Sequence, residues 1–174
     1  TMSLYSYKNC SPSIGSACFI APSADVIGNV TVGDSASLWY GVVARGDINK
    51  IVIGENTNIQ DQCMLHVIEE LPLIIGKNVS VGHRAILHAC TIGDSCLIGM
   101  GAIVLDGAVI SENSVVAAGS VVPPGKKYPA GMMIMGAPAK AVRPLSEQEL
   151  AGYGNHYKSY VHEKEQFLEH VVKL

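Results

Sequence analysis

Aliphatic residues recur every six positions along most of this chain. The period begins at Ile14 and, with short interruptions, continues to Val122. Its positions are Ile14, Ile20, Val26, Val32, Leu38, Ala44, Ile53, Ile59, Leu65, Ile75, Val81, Leu87, Ile92, Ile98, Val104, Ile110, Val116 and Val122. A small residue follows most of them by four positions, and Gly often comes directly after, as in Ile53-Gly54. Such a period is typical of a parallel β-helix.

The period has a simple physical basis. Each repeat forms a short strand and a tight corner, and the narrow interior accepts one aliphatic and one small side chain per face. Gly at a corner tolerates backbone angles that a Cβ disfavours. Three faces make a coil of about 18 residues, and successive coils stack at about 4.8 Å. We therefore expect roughly six coils from Ile14 to Val122, within a domain over residues 1–144.

The pattern changes beyond residue 144. Ser146 and Glu149 have the spacing of a capping box, which opens a helix. Apolar residues then recur at helical spacing, at Leu150, Tyr153, Tyr157, Tyr160, Val161, Phe167, Leu168 and Val171. A repeat stack needs covers because each coil buries its core only against its neighbours. We expect residues 145–174 to form a C-terminal helix packed on the β-helix, with early turns that Gly152 and Gly154 weaken; a break near Asn155 is the alternative.

Composition and charge exclude several classes of function. The 174 residues have a formal net charge of -3 and scattered basic residues, so we expect neither nucleic acid nor an anionic membrane as a partner. No apolar run approaches the ~18 residues of a membrane span, and no basic and apolar leader opens the sequence. These features favour a cytoplasmic protein. The cysteines lack disulfide-type spacing, and we expect three of them to pack in the core: Cys18, Cys63 and Cys96.

Three of the six histidines interrupt the repeat. His66 and His88 each directly follow a leucine of the period, where Gly is favoured. They are 22 residues apart, which is one coil of about 18 residues plus a short insertion. We therefore expect them to stack on one outer face, about 4.8 Å apart at the backbone. His83 lies around a corner of the same coil, where we do not expect it to reach the same ion.

A symmetric neighbour can supply the third ligand. In a threefold trimer, His83 of one chain would complete a site with His66 and His88 of the next. Three histidines and one open position form the ligand set of catalytic zinc, whereas structural zinc sites are closed by four protein ligands. Isolated histidines are more often ordinary polar residues. We interpret the three histidines without a register partner as solvated residues of the tail: His156, His162 and His170.

Several short blocks of sequence are typical of one family. They are Arg45-Gly46-Asp47, Asn58-Ile59-Gln60-Asp61, His66, the stretch from Gly82 to Gly93, and Gly136-Ala137-Pro138-Ala139-Lys140. With these blocks the chain resembles the γ-class carbonic anhydrases and their relatives in the hexapeptide-repeat superfamily, over nearly its whole length. The last block is shared with hexapeptide acyltransferases and discriminates little. The resemblance implies an all-β repeat fold, a left-handed parallel β-helix with a C-terminal α-helix, assembled as a homotrimer.

The resemblance also implies roles for individual residues. His66 and His88 of one chain and His83 of its neighbour would bind zinc, with iron or cobalt as alternatives, at sites between chains. Gln60 would hydrogen-bond the reacting hydroxide or bicarbonate. The remaining catalytic candidates are Glu69, which has the spacing of a proton-shuttle glutamate, and Asn155, which with Tyr153 matches a Tyr-x-Asn pair. The residues that match an interfacial ion-pair set are Arg45, Asp47 and Asp61.

Two departures from the best-characterised carbonic anhydrase pattern concern proton export. Ile48 stands where that pattern has a glutamate, and the acidic loop after His66 is reduced to Glu69 and Glu70. The implied function is metal-dependent, reversible hydration of a small molecule, carbon dioxide, to bicarbonate. One alternative is an acyl-CoA-dependent acetyltransferase, which uses the same repeat and a single histidine as base. The other is a non-catalytic metal-binding trimeric subunit, which the trimmed loop favours.

Overall fold

A computed structural model describes residues 2–173 as a stack of short strands followed by a helical tail. The strands are β1 (Ser3–Tyr5), β2 (Ser13–Ile14), β3 (Phe19–Ile20), β4 (Asp25–Val32), β5 (Ser37–Leu38), β6 (Val43–Ile53), β7 (Asn58–Ile59), β8 (Met64–His66), β9 (Leu73–Ile75), β10 (Ser80–Val81), β11 (Ile86–His88), β12 (Thr91–Ile92), β13 (Leu97–Ile98), β14 (Ile103–Val104), β15 (Val109–Ile110), β16 (Val115–Val116), β17 (Val121–Val122), β18 (Lys127–Tyr128), β19 (Met132–Gly136) and β20 (Ala139–Pro144). The helices are α1 (Glu147–Gly154) and α2 (Tyr157–His170).

The strands form three faces. The first face is an 8-stranded sheet in which β3, β5, β7, β10, β13, β16 and β19 are parallel and β20 pairs antiparallel with β19. The other two faces share a 12-stranded sheet, because the long strands β4 and β6 continue around a corner. Besides parts of these two strands, the second face contains β1, β8, β11, β14 and β17, and the third face contains β2, β9, β12, β15 and β18. The parallel strands of the first face mark about seven coils, one more than predicted, because the stack continues beyond Val122 when β19 pairs with β16.

The aliphatic positions of the period fill the interior of the stack. Leu65 and Leu87 are fully buried, and each such side chain contributes roughly 1.5–3 kcal/mol on burial. Cys63 and Cys96 are buried as predicted, whereas Cys18 is only partly buried. Burial raises the pKa of the Cys63 and Cys96 thiols to about 12. Both therefore stay protonated and pack as small apolar groups.

The tail begins with the predicted capping box. The Ser146 hydroxyl accepts a hydrogen bond from the backbone N–H of Glu149 at 3.2 Å, and Ser146 N donates to the Glu149 carboxylate at 2.9 Å. The helical tail is interrupted between Gly154 and Tyr157, so the alternative of a break near Asn155 describes it better than one helix with frayed early turns. The predicted fold class, a parallel β-helix with a helical C-terminal segment, is confirmed. Within residues 2–173, no helix combines the length and apolar character needed to cross a lipid bilayer.

An aromatic cluster joins α2 to the first coils. The ring centroids of Trp39 and Phe167 lie 4.9 Å apart, and those of Trp39 and Phe19 lie 5.0 Å apart. Tyr160 adds an edge-to-face contact with Trp39 at 5.5 Å. Such pairs add about 0.5–1.5 kcal/mol beyond their buried area. The cluster holds α2 over β3, β5 and β7, and the outer side of β13, β16 and β19 borders an open cavity.

Close stacking of the coils makes the corner glycines sensitive to substitution. A Cβ on Gly54 would lie 2.4 Å from the carbonyl atoms of Gly76 in the next coil. Because these are backbone atoms, we expect Gly54→Ala to lower the free energy of unfolding by about 1–3 kcal/mol. The control is Gly152→Ala in α1, where no heavy atom lies within 4 Å and the variant should be more stable by up to about 1 kcal/mol. Equilibrium denaturant unfolding measures both; a Gly54→Ala protein as stable as the parent would contradict the close approach.

A candidate metal centre

Two histidines stack at one corner of the β-helix. His66 ends β8 and His88 ends β11, and the two residues are register partners in adjacent parallel strands, as their spacing predicted. Each follows a fully buried leucine, so the alternation of side chains along a strand turns the histidine outward. Nδ1 of His66 lies 3.1 Å from Nε2 of His88. The corner therefore brings two imidazole nitrogens together.

A carboxylate flanks each end of this histidine pair. Nε2 of His66 lies 3.0 Å from Oδ1 of Asp47, and Nδ1 of His88 forms a hydrogen bond with Oδ1 of Asp106. We refer to Asp47, His66, His88 and Asp106 as the Asp–His–His–Asp ladder. Its members come from four neighbouring strands, β6, β8, β11 and β14, or from the corner after them. Asp106 was not predicted from the sequence, although it follows His88 by 18 residues, which is the length of one coil.

Asp47 is held from two sides. Its Oδ2 accepts a hydrogen bond from Arg45, and its Oδ1 also accepts one from the backbone N–H of Ile48 at 3.0 Å. Burial acts to raise the pKa of Asp47, but the hydrogen bonds from Arg45 and His66 outweigh it and hold this pKa below its ordinary value. Asp47 is therefore ionised at neutral pH, and it accepts the N–H of His66.

The two carboxylates determine the tautomers of both rings. An ionised carboxylate can only accept, so Nε2 of His66 and Nδ1 of His88 carry the hydrogens. In the neutral rings the nitrogens that face each other at 3.1 Å are then bare, and their lone pairs repel unless a shared proton or a metal cation lies between them. Two ligands of a tetrahedral zinc ion, with bonds near 2.05 Å, would lie about 3.3 Å apart. The spacing and the donor set of the ladder therefore fit a divalent metal ion.

His83 lies apart from the ladder. It follows β10 at the corner between the first and second faces, and its Nδ1 lies 2.9 Å from Oδ2 of Asp61. The side chains of His83 and Asp61 are 42% and 36% exposed, so a second molecule can reach them. Within residues 2–173 of one chain, no cluster of three or more His, Cys, Asp or Glu side chains has the geometry to hold a metal ion. A single chain thus brings together two imidazole nitrogens.

A cavity of about 480 Å³ lies beside His83. Gln60 and His83 line it from neighbouring coils, and Tyr153 lines it from α1. The apolar part of its wall comes from β13, β16 and β19 and includes Leu97, Val115 and Met133. The structure therefore places Gln60, His83 and Tyr153 around one space, as a second group separate from the ladder.

Two other candidate residues lie outside this cavity lining. The Asn155 side chain donates to the carbonyl of Ala151 at 2.8 Å, which closes the end of α1, so its catalytic role stays a prediction. Glu69 is exposed in the loop after His66. Asn49 donates to the carbonyl oxygens of Ile68 and Glu69 at 3.2 and 2.9 Å and thereby holds the backbone of this loop. The shortened loop is therefore anchored, with its acidic side chain open to solvent.

The coils and the two histidine corners define a hexapeptide-repeat protein of the parallel β-helix class. A family model described as "Bacterial transferase hexapeptide (six repeats)" matches residues 89–124. The chain is 43% identical over 164 residues to "Carbonic anhydrase" of Geobacillus kaustophilus, which covers 94% of this chain and 90% of that protein. The chain belongs to the γ-class carbonic anhydrase-like family of hexapeptide-repeat proteins.

Two further similarities support this assignment. Over 157 residues the chain is 44% identical to "Gamma carbonic anhydrase 2, mitochondrial" of Arabidopsis thaliana, covering 87% of this chain but 56% of the plant protein. A crystal structure of a hexapeptide transferase family protein from Anaplasma phagocytophilum superimposes with a TM-score of 0.91 at 43% identity, covering 95% of this chain and 98% of that one. This chain thus spans little more than half the length of the plant protein, whereas it has nearly the same length as the Anaplasma protein.

Proposed function

We propose that this protein is a metal-dependent enzyme that reversibly hydrates carbon dioxide to bicarbonate. The observation that carries the proposal is that each candidate ligand has a carboxylate partner of its own: His66 with Asp47, His88 with Asp106, and His83 with Asp61. Histidines that bind metals commonly donate their second N–H to such a partner, which orients the ring. The relatives at 43% and 44% identity that are named carbonic anhydrases support the same activity.

The proposed site lies between chains of a homotrimer. The ladder supplies two ligands, and His83 of the neighbouring chain supplies the third. Outward-facing residues in register along the second face support an interface there, because they are apolar where a solvated face would be polar: Val43, Met64, Ile86, Ile103 and Val121. Beside His83, the cavity-lining residues Met100 and Met135 are 59% and 44% exposed. Apolar surface thus adjoins both halves of the site.

Charged residues would also contribute to this interface. Arg45, Asp47 and Asp61 would add ion pairs there.

The oligomeric state provides a direct test of this arrangement. We expect a mass of three chains of 18.4 kDa, about 55 kDa, by light scattering. Ile86→Glu should shift the protein to monomers, because it introduces a charge on an apolar interface. The control is Thr31→Glu, at an exposed position on the third face, which should leave the trimer intact. A monomeric parent protein that still binds metal would refute the interchain site.

The residues of the two halves have separable tasks. When bound, zinc, or alternatively iron or cobalt, would supply the Lewis acidity that lets a water molecule lose its proton near neutral pH. Nε2 of Gln60 already donates to Asn58, so Oε1 is the acceptor left to orient a reacting water. The apolar wall beside His83 suits carbon dioxide, an apolar molecule. Glu69 would take up the proton at the solvent-exposed loop and pass it to buffer.

Chelation should separate the proposed activity from its alternatives. The metal-loaded protein should accelerate carbon dioxide hydration, and removal of the metal should lower the rate at least about a hundredfold, because the nucleophile depends on the ion. Readdition of metal should restore the rate. Stopped-flow hydration assays of zinc, cobalt and anaerobically prepared iron forms measure this. Full metal occupancy together with the uncatalysed rate would contradict the proposal.

The same samples test the second candidate function, an acyl-CoA-dependent acetyltransferase. The apolar cavity of about 480 Å³ and the transferase description of the matching repeat model favour it. A transferase with a single histidine base has no need of three carboxylate-paired histidines. Saturable acetyl-CoA binding that survives chelation would support the transferase. Metal binding with neither activity would instead favour a non-catalytic metal-binding trimeric subunit.

A further inference from the structure

A chain of hydrogen bonds connects the helical tail to Gln60. His156, in the turn between α1 and α2, places Nδ1 3.0 Å from Oγ of Ser80. Oγ of Ser80 accepts a hydrogen bond from Nδ2 of Asn58 at 2.9 Å, and Oδ1 of Asn58 accepts one from Nε2 of Gln60 at 3.0 Å. Asn58, Ser80 and Gln60 are at most 4% exposed. These contacts form one continuous path that begins at the exposed residue His156, passes through the buried side chains of Ser80 and Asn58, and ends at a residue of the candidate site.

A single backbone group determines how the side-chain amides along this path are oriented. The carbonyl oxygen of Val79 lies 3.4 Å from Nδ2 of Asn58 and can only accept, so the amide nitrogen of Asn58 must face it. Oδ1 of Asn58 then faces Gln60 and selects its amide nitrogen. This leaves Oε1 of Gln60 as the acceptor for a molecule in the cavity. The Val79 contact selects the orientation of the Asn58 amide but is long, at 3.4 Å. The bond to Ser80 is shorter, at 2.9 Å, and is therefore the better anchor of the amide in that orientation.

His156 completes the anchor at Ser80. Because Oγ of Ser80 accepts from Asn58, its own hydrogen is available for Nδ1 of His156. The groups that face His156 are Tyr153 and Tyr160 of the tail and, across the cavity, His83 and Gln60. Burial of part of the ring lowers the pKa of His156 below its ordinary value. The ring is therefore neutral at neutral pH, and Nδ1 can accept the hydroxyl hydrogen.

We propose that Ser80 and His156 are positioning residues that hold the Asn58 amide and thereby keep Oε1 of Gln60 available to the reacting molecule. Docking of the tail is in this way coupled to the candidate site, although the tail supplies no proposed metal ligand. The orientation of Gln60 is a property of the fold in the zinc-loaded and in the metal-free protein. Only its kinetic consequence rests on the proposed hydration activity.

The test compares variants that remove or keep the Ser80 hydroxyl. Ser80→Ala and His156→Phe remove the anchor, Ser80→Thr keeps a hydroxyl, and His162→Phe is a control at an exposed position of α2. The side-chain NH₂ signal of Gln60, identified by its loss in Gln60→Glu, is followed by ¹⁵N–¹H NMR in zinc-loaded and metal-free full-length protein. We expect Ser80→Ala and His156→Phe to shift this signal and speed its hydrogen exchange about three- to tenfold, as for loss of one buried hydrogen bond.

The kinetic readout uses the same variants. The kcat/KM for hydration should fall about three- to tenfold at unchanged zinc content in Ser80→Ala and His156→Phe, and Ser80→Thr should recover most of it. In a double-mutant cycle, His156→Phe should add little once Ser80 is Ala, because Ser80 is the only link between His156 and Asn58 in the path. An unchanged Gln60 signal in Ser80→Ala and His156→Phe would overturn the inference. A parent protein without hydration activity would refute the proposed function and leave the NMR test intact.

Discussion

His83→Ala is expected to empty the metal site as completely as His66→Ala. If the ion is held by the ladder of one chain and His83 of the next, loss of any of the three ligands leaves two. Loss of an outer-shell partner alone commonly weakens metal affinity by 10- to 100-fold, so loss of a ligand should weaken it at least about a hundredfold. Metal analysis after dialysis against a weak chelator measures the occupancy. His162→Ala, at an exposed position of α2, is the control that should keep its metal.

Mixed trimers provide a sharper form of this test. A chain with His83→Ala keeps an intact ladder, and a chain with His66→Ala keeps His83. When the two are unfolded together and refolded in equal amounts, about one quarter of the interfaces should pair the intact halves. We therefore expect metal content to recover to about one quarter of the parent value, from almost none in either variant alone. No recovery in correctly assembled mixed trimers, or a His83→Ala protein with full metal content, would exclude the interchain site.

The stack of histidines could be predicted because a β-helix is rigid along its axis. Coils of nearly constant length fix which residues are neighbours, so counting from His66 to His88 sufficed to place both on one corner. Counting one further coil from His88 leads to Asp106, but an aspartate at a corner does not by itself indicate a metal site. Aspartates at other corners, such as Asp34 and Asp94, accept hydrogen bonds from the backbone of neighbouring coils. Only the contact with His88 distinguishes Asp106 from them.

The tail was less predictable because its contacts are not periodic. The capping box at Ser146 is local and was predicted, whereas the contact of His156 with Ser80 joins residues 76 positions apart. The interpretation of His156 as a solvated residue was therefore incomplete, since Nδ1 contacts Ser80 while another part of the ring is exposed. Its position depends on the aromatic cluster around Trp39, which no repeat pattern encodes.

The ion-pair residues illustrate a related limit. Arg45, Asp47 and Asp61 were expected to act between chains, and their interface role stays a prediction. Within one chain, however, Asp47 contacts His66 and Asp61 contacts His83. A carboxylate can serve both tasks, because an ionised group has two oxygens with several lone pairs. The resemblance to the family predicts that such a residue takes part in an ion pair, while the structure identifies the particular histidine that it contacts.

Asp106→Asn should weaken metal binding by about 10- to 100-fold without unfolding the protein, which is the usual cost of losing an outer-shell partner. Asparagine keeps the size of the side chain but is neutral, and it can turn its NH₂ group toward Nδ1 of His88. The neutral ring can then place its hydrogen on Nε2, the nitrogen that faces His66 in the ladder. Titration of the protein against a competing chelator measures the zinc affinity, and thermal melting of the metal-free protein checks the fold.

Asp94→Asn is the matched control for this effect. Asp94 also lies at a corner, but its Oδ1 accepts from the backbone N–H of Lys77 at 2.9 Å and contacts no histidine. Its replacement should change stability slightly and leave zinc affinity within about twofold, because surface substitutions away from a site usually have small effects. Equal zinc affinities for Asp106→Asn and the parent would mean that Asp106 only supports its corner. Asp106 would then not be one of the two carboxylates that leave the facing nitrogens of the ladder bare. The strongest physical reason to place a cation between the histidines would be lost with it.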